Sequence, residues 1–198
     1  MCGRFGFAKG IDDFSKKFHI PMEPRYNIAP SQQIVAVDES FSAFKAQWSF
    51  LPSWSTSSKP LINARIETLD EKPSFKGYQK CLIPASGWFE WKRSTTANIP
   101  YYFTTTDDWF YMGGIIIENQ IVILTKEADQ HLESIHHRMP LIYANSYDKM
   151  WELDQINHKL AESIVPYSVS DKINKANYDY KDLLTPIDYP SQGSLFNF

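Results

Sequence analysis

Cysteine is scarce in this sequence: among 198 residues there are only two, Cys2 and Cys81. Two cysteines are too few for the disulfide framework of a small secreted domain, and no signal-peptide pattern follows Met1. We therefore expect both thiols to be reduced, with a Cys2–Cys81 disulfide as the less favoured alternative. Long hydrophobic runs are also missing, since no stretch approaches the roughly 20 apolar residues that span a bilayer. These absences predict a soluble intracellular protein with no membrane partner.

An excess of basic residues is missing as well. Lysine and arginine total 20 against 23 aspartate and glutamate residues, which gives a net charge of −3. This balance weighs against a protein that coats nucleic acid nonspecifically. Few of the basic residues are arginines, whose planar guanidinium suits phosphate better than an ammonium does. Each arginine is therefore a candidate phosphate ligand, with pairing to a carboxylate or a helix end as the alternative. The five arginines are Arg4, Arg25, Arg65, Arg93 and Arg138.

The hydrophobic pattern predicts a single α+β domain over residues 1–198. With 43% apolar residues, a chain of this length can bury roughly 70% of its unfolded surface around one core. Alternating apolar residues predict strands over residues 33–37, 44–50, 81–83, 88–92, 101–105, 109–117, 120–124 and 167–170. Helical spacing and capping signals predict helices over residues 12–18, 68–71, 127–135, 146–152 and 157–164.

The order of these elements indicates how they assemble. Many strands, few helices and no βαβ alternation imply a curled, barrel-like, mainly antiparallel sheet flanked by short helices. A tight turn is expected at Glu118 and Asn119, between two of the longest strands. The turn-rich residues 179–198 are expected to form a mobile C-terminal tail.

Cys2 becomes the amino terminus if Met1 is removed. A terminal cysteine is a 1,2-aminothiol, which can condense with an aldehyde and close into a thiazolidine ring. Its α-amino group titrates near 8 and a lysine near 10.4, so at neutral pH the terminal amine is roughly a few hundred times richer in the reactive neutral form. Position 2 therefore indicates carbonyl chemistry. The alternative is a small buried core thiol with no chemical role.

Three further segments contain polar residues where a core or a random loop would not favour them. Asn63 and Arg65 are two residues apart, so on an extended segment they share a face. Glu90 lies inside an aromatic strand, where burial would raise the pKa of its carboxyl toward neutrality. His136 follows a predicted helix. The alternatives are a turn residue for Asn63, a basic partner at position 92 or 93 for Glu90, and a helix-end histidine for His136.

Together with neighbouring segments, these residues resemble the ordered motifs of the SOS-response-associated peptidase (SRAP) family. The similar segments are MCGRF at residues 1–5, RYNIAP at 25–30, WSFLPSW at 48–54, NARIET at 63–68, GWFEWK at 87–92 and HHRMP at 136–140. Residues 169–174 resemble the closing strand and loop of the family. Two positions depart from the pattern, since Ser49 stands where glycine is common and Ile66 where a smaller residue is common.

The resemblance implies a sensor of abasic sites in single-stranded DNA. After autocatalytic or aminopeptidase removal of Met1, Cys2 would capture the ring-opened sugar aldehyde as a thiazolidine crosslink that shields the lesion, with an AP-lyase side activity. Asn63 would position the amine and the sugar, Glu90 would shuttle protons, and His136 would assist ring opening and the lyase or release steps.

The same resemblance implies a set of DNA contacts. Phosphates would be bound by Arg4, Arg65 and Arg138. Trp48 and Trp54 would lie near the DNA-binding face, and Thr125 in the same pocket. We expect no cofactor, no metal, a monomer, and a cytoplasmic location, nucleoid-associated if the source is bacterial.

Two competing functions stay open from the sequence. The first is a cysteine peptidase acting on other proteins, since Cys2, His136 and Asn63 superficially resemble a thiol-protease set. The second is a non-catalytic reader of modified or single-stranded DNA in which Cys2 is merely structural.

Overall fold

The computed structural model describes residues 2–95, 97–146 and 158–188. Its strands are β1 (Arg4–Phe7), β2 (Arg25–Ile28), β3 (Gln33–Val37), β4 (Ala43–Trp48), β5 (Asn63–Arg65), β6 (Gln79–Ala85), β7 (Gly87–Arg93), β8 (Asn98–Thr104), β9 (Phe110–Ile117), β10 (Gln120–Glu127), β11 (Arg138–Pro140), β12 (Ile142–Ala144) and β13 (Val165–Ser168). Its α-helices are α1 (Ile11–Phe18), α2 (Gln130–Glu133) and α3 (His158–Glu162). Short 3-10 helices cover Ile66–Thr68, Pro73–Phe75, Asp171–Asn174 and Lys181–Leu184.

Five of the strands close into a barrel. They are hydrogen-bonded in the order β10-β4-β3-β6-β9, and β9 pairs again with β10 to complete the ring. The pairings are antiparallel except for β4 with β10, which run parallel. The mainly antiparallel, barrel-like α+β fold predicted from the sequence is therefore confirmed.

The turn between β9 and β10 falls at Glu118 and Asn119, as predicted. Their φ angles are 48° and 59°. Two consecutive residues with positive φ form the kind of two-residue turn whose twist matches that of the flanking strands. The β-branched residues that follow and precede this turn suit the pleated, buried surface of a barrel wall.

A second, five-stranded antiparallel sheet in the order β13-β8-β7-β1-β2 packs against the barrel. Its residues alternate between two apolar clusters, as the period of a strand requires. Trp88 belongs to the main core, whereas Phe89 packs on the opposite face with Val169, Ile173 and Leu183. The outer face of this sheet is thus covered by the C-terminal part of the chain.

Residues 179–188 of the expected tail are anchored to the protein at several points, while most of their side chains are exposed; the mobility of this segment stays a prediction. The 3-10 helix Lys181–Leu184 buries Leu183 completely, and Asp179 accepts hydrogen bonds from β2. The remaining part of that expectation, residues 189–198, lies outside the described residues.

Two predicted helices differ from the structure. Residues 68–71 do not open a helix, because the helical turn comes earlier, as the 3-10 helix Ile66–Thr68. The helix predicted over 127–135 shrinks to α2. Its first residue, Glu127, is held extended by antiparallel pairing of β10 with β11, and the N–H of the next residue donates to the His137 carbonyl oxygen instead of forming a helical turn. Of the predicted helix 146–152, all but the first residue lies outside the described residues, as does the first residue of 157–164, whose described part contains α3.

Neither cysteine is in a disulfide, and both are buried. The expectation of reduced thiols agrees with this arrangement. Within the part of the chain that the structure describes, no helix has the length and apolar character needed to cross a membrane.

Candidate active site

Cys2 lies just before β1 and is fully buried. Its Sγ donates a weak hydrogen bond to the carbonyl oxygen of Arg4 at 3.7 Å. Its own carbonyl oxygen accepts a hydrogen bond of 2.8 Å from Asn63 Nδ2. The thiol and the backbone of Cys2 are therefore both fixed by neighbouring groups.

Asn63 is the first residue of β5, a three-residue strand that runs parallel to β10. Ala64 is buried, whereas Asn63 and Arg65 are more exposed, so the alternation expected for this segment is present. Asn63 Oδ1 is buried and has no hydrogen-bond partner among the residues that the structure describes. The amide thus binds Cys2 through its nitrogen and has an oxygen available to accept a further hydrogen bond.

Glu90 lies in the middle of β7, which is paired with β1 on one side and β8 on the other. Only 2% of the residue is exposed. Burial raises the pKa of the Glu90 carboxyl to about 7, because the charged form loses its hydration. The carboxyl is therefore a proton donor and acceptor poised near neutral pH, as its aromatic surroundings predicted.

His136 faces Glu90 from the segment between α2 and β11. His136 Nε2 and Glu90 Oε2 are 3.7 Å apart, too far for a direct hydrogen bond. Burial lowers the pKa of His136 to about 4, so near neutral pH its ring is uncharged and the two side chains are not an ion pair. Glu90, rather than an imidazolium, is the acid of this pair.

The backbone of Arg138 holds the His136 ring. Its N–H donates to His136 Nδ1 at 3.1 Å, and its carbonyl oxygen lies 3.0 Å from the same nitrogen. The N–H contact requires an unprotonated Nδ1, which places the proton of the neutral ring on Nε2, toward Glu90; the carbonyl contact favours the other tautomer. Either way, the imidazole is oriented by the backbone and not by the thiol.

Burial, followed by the negative charge of Glu90, raises the pKa of the Cys2 thiol well above its usual range. Cys2 therefore keeps its proton at neutral pH, unlike the thiolate nucleophile of a thiol protease. Among Cys2, Glu90 and His136, the Glu90 carboxyl is therefore the group that can release and take up a proton near neutral pH, while the Cys2 sulfur stays neutral.

Arg138 is enclosed by protein, with 5% of the residue exposed. Its Nη1 and Nη2 each donate to a carboxylate oxygen of Glu67 at 2.8 Å, and Nη2 also donates to the Thr125 carbonyl oxygen at 2.8 Å. The hydrogen bonds from Arg138 hold the pKa of Glu67 below its usual range. The guanidinium expected to bind phosphate is thus already paired with a carboxylate, and its role at DNA stays a prediction.

The other residues predicted to contact DNA differ in exposure. Arg65 is exposed and Arg4 is partly buried, whereas Thr125 is buried and donates its hydroxyl hydrogen to the Ala64 carbonyl oxygen at 3.2 Å. Trp54 is 65% exposed in the loop that follows β4. Its ring is thus placed where it could stack on a base.

Trp48 is instead part of the core. Its ring is fully buried and makes an edge contact with Phe5 at 5.3 Å between centroids. Its Nε1 donates to the Ile62 carbonyl oxygen at 2.9 Å. This position supports the residue next to Asn63, and a direct contact of Trp48 with DNA stays a prediction.

Ser49, one of the two departures from the family pattern, is buried and does not adopt a positive φ. Its hydroxyl accepts a hydrogen bond from Gln47 Nε2 at 3.3 Å. The backbone at position 49 therefore does not require glycine in this chain.

A cavity of about 280 Å³ opens beside His136. Its walls include the aromatic ring of Trp91 and the basic residues Lys92 and Arg93. The two basic side chains would suit a phosphate, but the acidic residue Glu133 lines the same cavity.

Two polar residues next to the predicted site were missed by the sequence analysis. Glu67, which pairs with Arg138, lies inside the NARIET segment. Its carboxylate could have been predicted as a partner for one of the arginines. Asn27, which accepts a hydrogen bond from Arg4, lies inside the RYNIAP segment. Both residues lie in segments that resemble the family motifs, but the partner of each is distant in sequence.

Comparison with known proteins places the chain in a family. Residues 1–176 match the model of the family described as SOS response associated peptidase (SRAP). The chain is 30% identical over 221 residues to the abasic site processing protein YoaM of Bacillus subtilis, covering 93% of this chain and 97% of the relative. It is 30% identical over 189 residues to the abasic site processing protein YedK of Escherichia coli, covering 83% and 85%.

A crystal structure of a protein from Bacteroides thetaiotaomicron has the same fold. It superposes with a TM-score of 0.75 at 21% sequence identity, covering 94% of this chain and 100% of that one. With the family model matching most of the sequence and the motif residues assembled around Cys2, the chain belongs to the SOS response associated peptidase (SRAP) family.

Proposed function

We propose that this protein senses abasic sites in single-stranded DNA and binds them covalently through Cys2. Removal of Met1, by the chain itself or by an aminopeptidase, converts the Cys2 amide into a primary amine. The product is a thiazolidine crosslink that shields the lesion, with strand cleavage as a side reaction. The relatives' printed names, abasic site processing proteins, support this substrate class.

The observation that carries the proposal is the position of Cys2 beside a buried acid. Asn63 holds the Cys2 carbonyl at 2.8 Å, and the Glu90 charge acts on the Cys2 thiol. A 1,2-aminothiol needs a proton donor when a hydroxyl leaves and a proton acceptor when the amine attacks. A carboxyl with a pKa of about 7 can do both.

The steps balance with one water lost. As the sugar ring opens, its ring oxygen takes a proton from Glu90, and the C1 hydroxyl returns its proton to the Glu90 carboxylate, which forms the aldehyde. The neutral amine attacks C1, and one amine proton passes through Glu90 to the aldehyde oxygen to give a carbinolamine. Glu90 then protonates the hydroxyl, which leaves as water, and the Glu90 carboxylate takes the remaining N–H proton, so that a neutral C=N bond forms. Finally the sulfur bonds to C1, and the thiol proton passes to the nitrogen.

The same imine explains the proposed side reaction. A C=N bond acidifies the neighbouring C2 hydrogen, so its removal expels the 3′ phosphate and breaks the strand. His136 is the uncharged base near Glu90 that can accept this proton. Closure by the Cys2 sulfur competes with this elimination, which makes the thiol the group that favours protection over cleavage.

The first competing function, a peptidase acting on other proteins, fits this geometry less well. A thiol protease lowers the pKa of its cysteine with a neighbouring imidazolium. Here the pKa of the Cys2 thiol is raised, and His136 faces Glu90. Incubation with unrelated polypeptides is expected to give no multiple-turnover cleavage, and repeated turnover would overturn the proposal.

The decisive experiment is intact-mass spectrometry of the purified protein before and after mixing with an abasic single-stranded oligonucleotide. The protein should lack Met1, and the adduct should equal protein plus oligonucleotide minus one water. Cys81→Ala is the matched control, because Cys81 is the other buried thiol and should leave the adduct unchanged. Retention of Met1 in protein that forms the adduct would contradict the mechanism.

Denaturing electrophoresis separates the proposal from the second competitor. A covalent adduct survives denaturation, whereas a non-catalytic DNA reader leaves none. Comparing single-stranded with fully duplex abasic DNA tests the strand preference, and size-exclusion chromatography tests the proposed monomer. An adduct of equal yield on duplex DNA would refute the preference for single strands.

A further inference from the structure

Asn27 is a fully buried amide that joins the start of the chain to its C-terminal part. It lies in β2, and its Oδ1 accepts a hydrogen bond of 3.1 Å from Arg4 Nε. On its other side, the two N–H groups of Nδ2 are shared among three backbone carbonyl oxygens at 2.9–3.3 Å, those of Ile173, Lys175 and Tyr178. Both ends of the amide are therefore occupied, which fixes its orientation.

The backbone around Asn27 is held by the same C-terminal part of the chain. Between the pairs Phe5 with Ile28 and Phe7 with Arg25, β2 has one residue more than β1, which is a β-bulge. A bulge turns backbone N–H groups away from the neighbouring strand. Here the amides of residues 26 and 27 donate to Asp179 Oδ1, at 2.5 and 2.8 Å.

The hydrogen bond to Arg4 restricts how its guanidinium can turn. With Nε directed at Asn27, the two terminal Nη groups form the remaining fork, which matches the two oxygens of a phosphate. Arg4 is two residues from Cys2, and its carbonyl oxygen accepts the hydrogen bond from the Cys2 thiol. A phosphate bound by this fork would lie next to the reacting cysteine.

We propose that Asn27 is a positioning residue that orients Arg4 toward a DNA phosphate beside Cys2, and that residues 173–179 in turn hold Asn27. The inference rests on the proposed function, since it assumes that DNA binds at Cys2. Asn27 itself is too buried to touch DNA. Its effect must therefore pass through Arg4.

The salt dependence of binding gives a readout that a merely structural residue would not change. Each phosphate contact on a single strand contributes about −0.7 to the slope of log affinity against log salt. Asn27→Ala should make the slope shallower by about 0.7, as should Arg4→Ala. Between about 50 and 200 mM salt, this change corresponds to roughly a 2.5-fold smaller loss of affinity. Fluorescence anisotropy with an undamaged single-stranded oligonucleotide measures it.

A double-mutant cycle shows whether the effect passes through Arg4. In the Arg4→Ala background, Asn27→Ala should cause no further change of slope. Ser170→Ala is the matched control, because its hydroxyl caps the 3-10 helix Asp171–Asn174 in the same part of the chain and is not among the hydrogen-bond partners given above for the Asn27 side chain. It should keep the wild-type slope.

Two results would overturn the inference. One is a salt-dependence slope in Asn27→Ala that equals the wild-type slope. The other is a further decrease of the slope when Asn27→Ala is added to Arg4→Ala. Should Asn27→Ala not fold, the size-matched Asn27→Asp replaces it: its carboxylate would pair with Arg4 and remove the same contribution, so an unchanged slope again overturns the inference. Undamaged DNA cannot react with Cys2, so failure here is distinct from failure to crosslink abasic DNA.

Discussion

Replacing Glu90 by glutamine should stabilise the fold at neutral and alkaline pH while it slows the reaction. Burial raises the pKa of this carboxyl from 4.5 to about 7. Each tenfold change in an ionisation equilibrium is worth about 1.4 kcal/mol, so the ionised carboxyl costs the native state about 3 kcal/mol. Glutamine has nearly the same shape and no charge, so it avoids this cost.

The sign of the effect follows from proton binding. The native carboxyl holds its proton more tightly than the unfolded one, so its favourable contribution is complete below pH 4.5 and is lost as the pH rises through 7. The free energy of unfolding of Glu90→Gln minus that of the wild type should therefore grow by about 2.5 kcal/mol between pH 5 and pH 8. Urea denaturation at several pH values measures both proteins.

The crosslinking rate should move in the opposite direction. Loss of a general acid and base typically costs about 10² to 10⁴ in rate, so the variant should be more stable and much slower at pH 8. The comparison is made with Met1 removed from both proteins, as mass spectrometry can verify. A stability difference that is the same at pH 5 and pH 8, or an unchanged rate, would refute the account of Glu90 as a buried proton carrier.

Three other substitutions test separate parts of the site. Cys2→Ser should abolish the thiazolidine adduct yet still form the imine, so strand cleavage of an abasic oligonucleotide, measured on a gel, should rise relative to crosslinking. Loss of both products would contradict the proposal that the amine forms the imine and the thiol only closes the ring. Glu67→Gln removes one charged acceptor of Arg138 and should lower the free energy of unfolding in urea by about 1.5 to 3 kcal/mol, and a change under about 0.5 kcal/mol would show that the pair contributes little. Trp54→Ala should leave that free energy within about 0.5 kcal/mol of the wild type, because the ring is exposed. It should weaken single-stranded DNA binding by about 1 to 3 kcal/mol if the ring stacks on a base, and unchanged anisotropy titrations would exclude that contact.

The local features of the fold were predictable because short-range patterns determine them. The alternation around Asn63 and the turn at Asn119 both follow from backbone geometry that a few residues specify. The raised pKa of Glu90 followed from its aromatic neighbours in β7, because burial of the strand is itself a local consequence of that pattern. Each of these features is determined by residues that are close to one another in the sequence.

The predictions that differed or were missed depend on distant partners. The helix expected over 127–135 has helical spacing, yet pairing of β10 with β11 keeps its first residue extended. The contact of Arg138 with phosphate stays a prediction, but the carboxylate that Arg138 binds in the structure was missed, because Glu67 is 71 residues away in the chain. Asn27 is 146 residues from the Ile173 carbonyl that it binds. A single sequence does not show which distant groups the fold brings together.

The enclosure of the Cys2 sulfur bears on how long the chain would stay reactive under the proposed function. Peroxides and small disulfides oxidise thiolates that they can reach, and this sulfur is neither ionised nor accessible. A chain that used its terminus once per lesion would have to keep that terminus chemically intact during long waiting periods. Burial would supply such storage, because the sulfur is shielded from oxidants in solution and would react only with a carbonyl carbon that the adjacent amine had already captured.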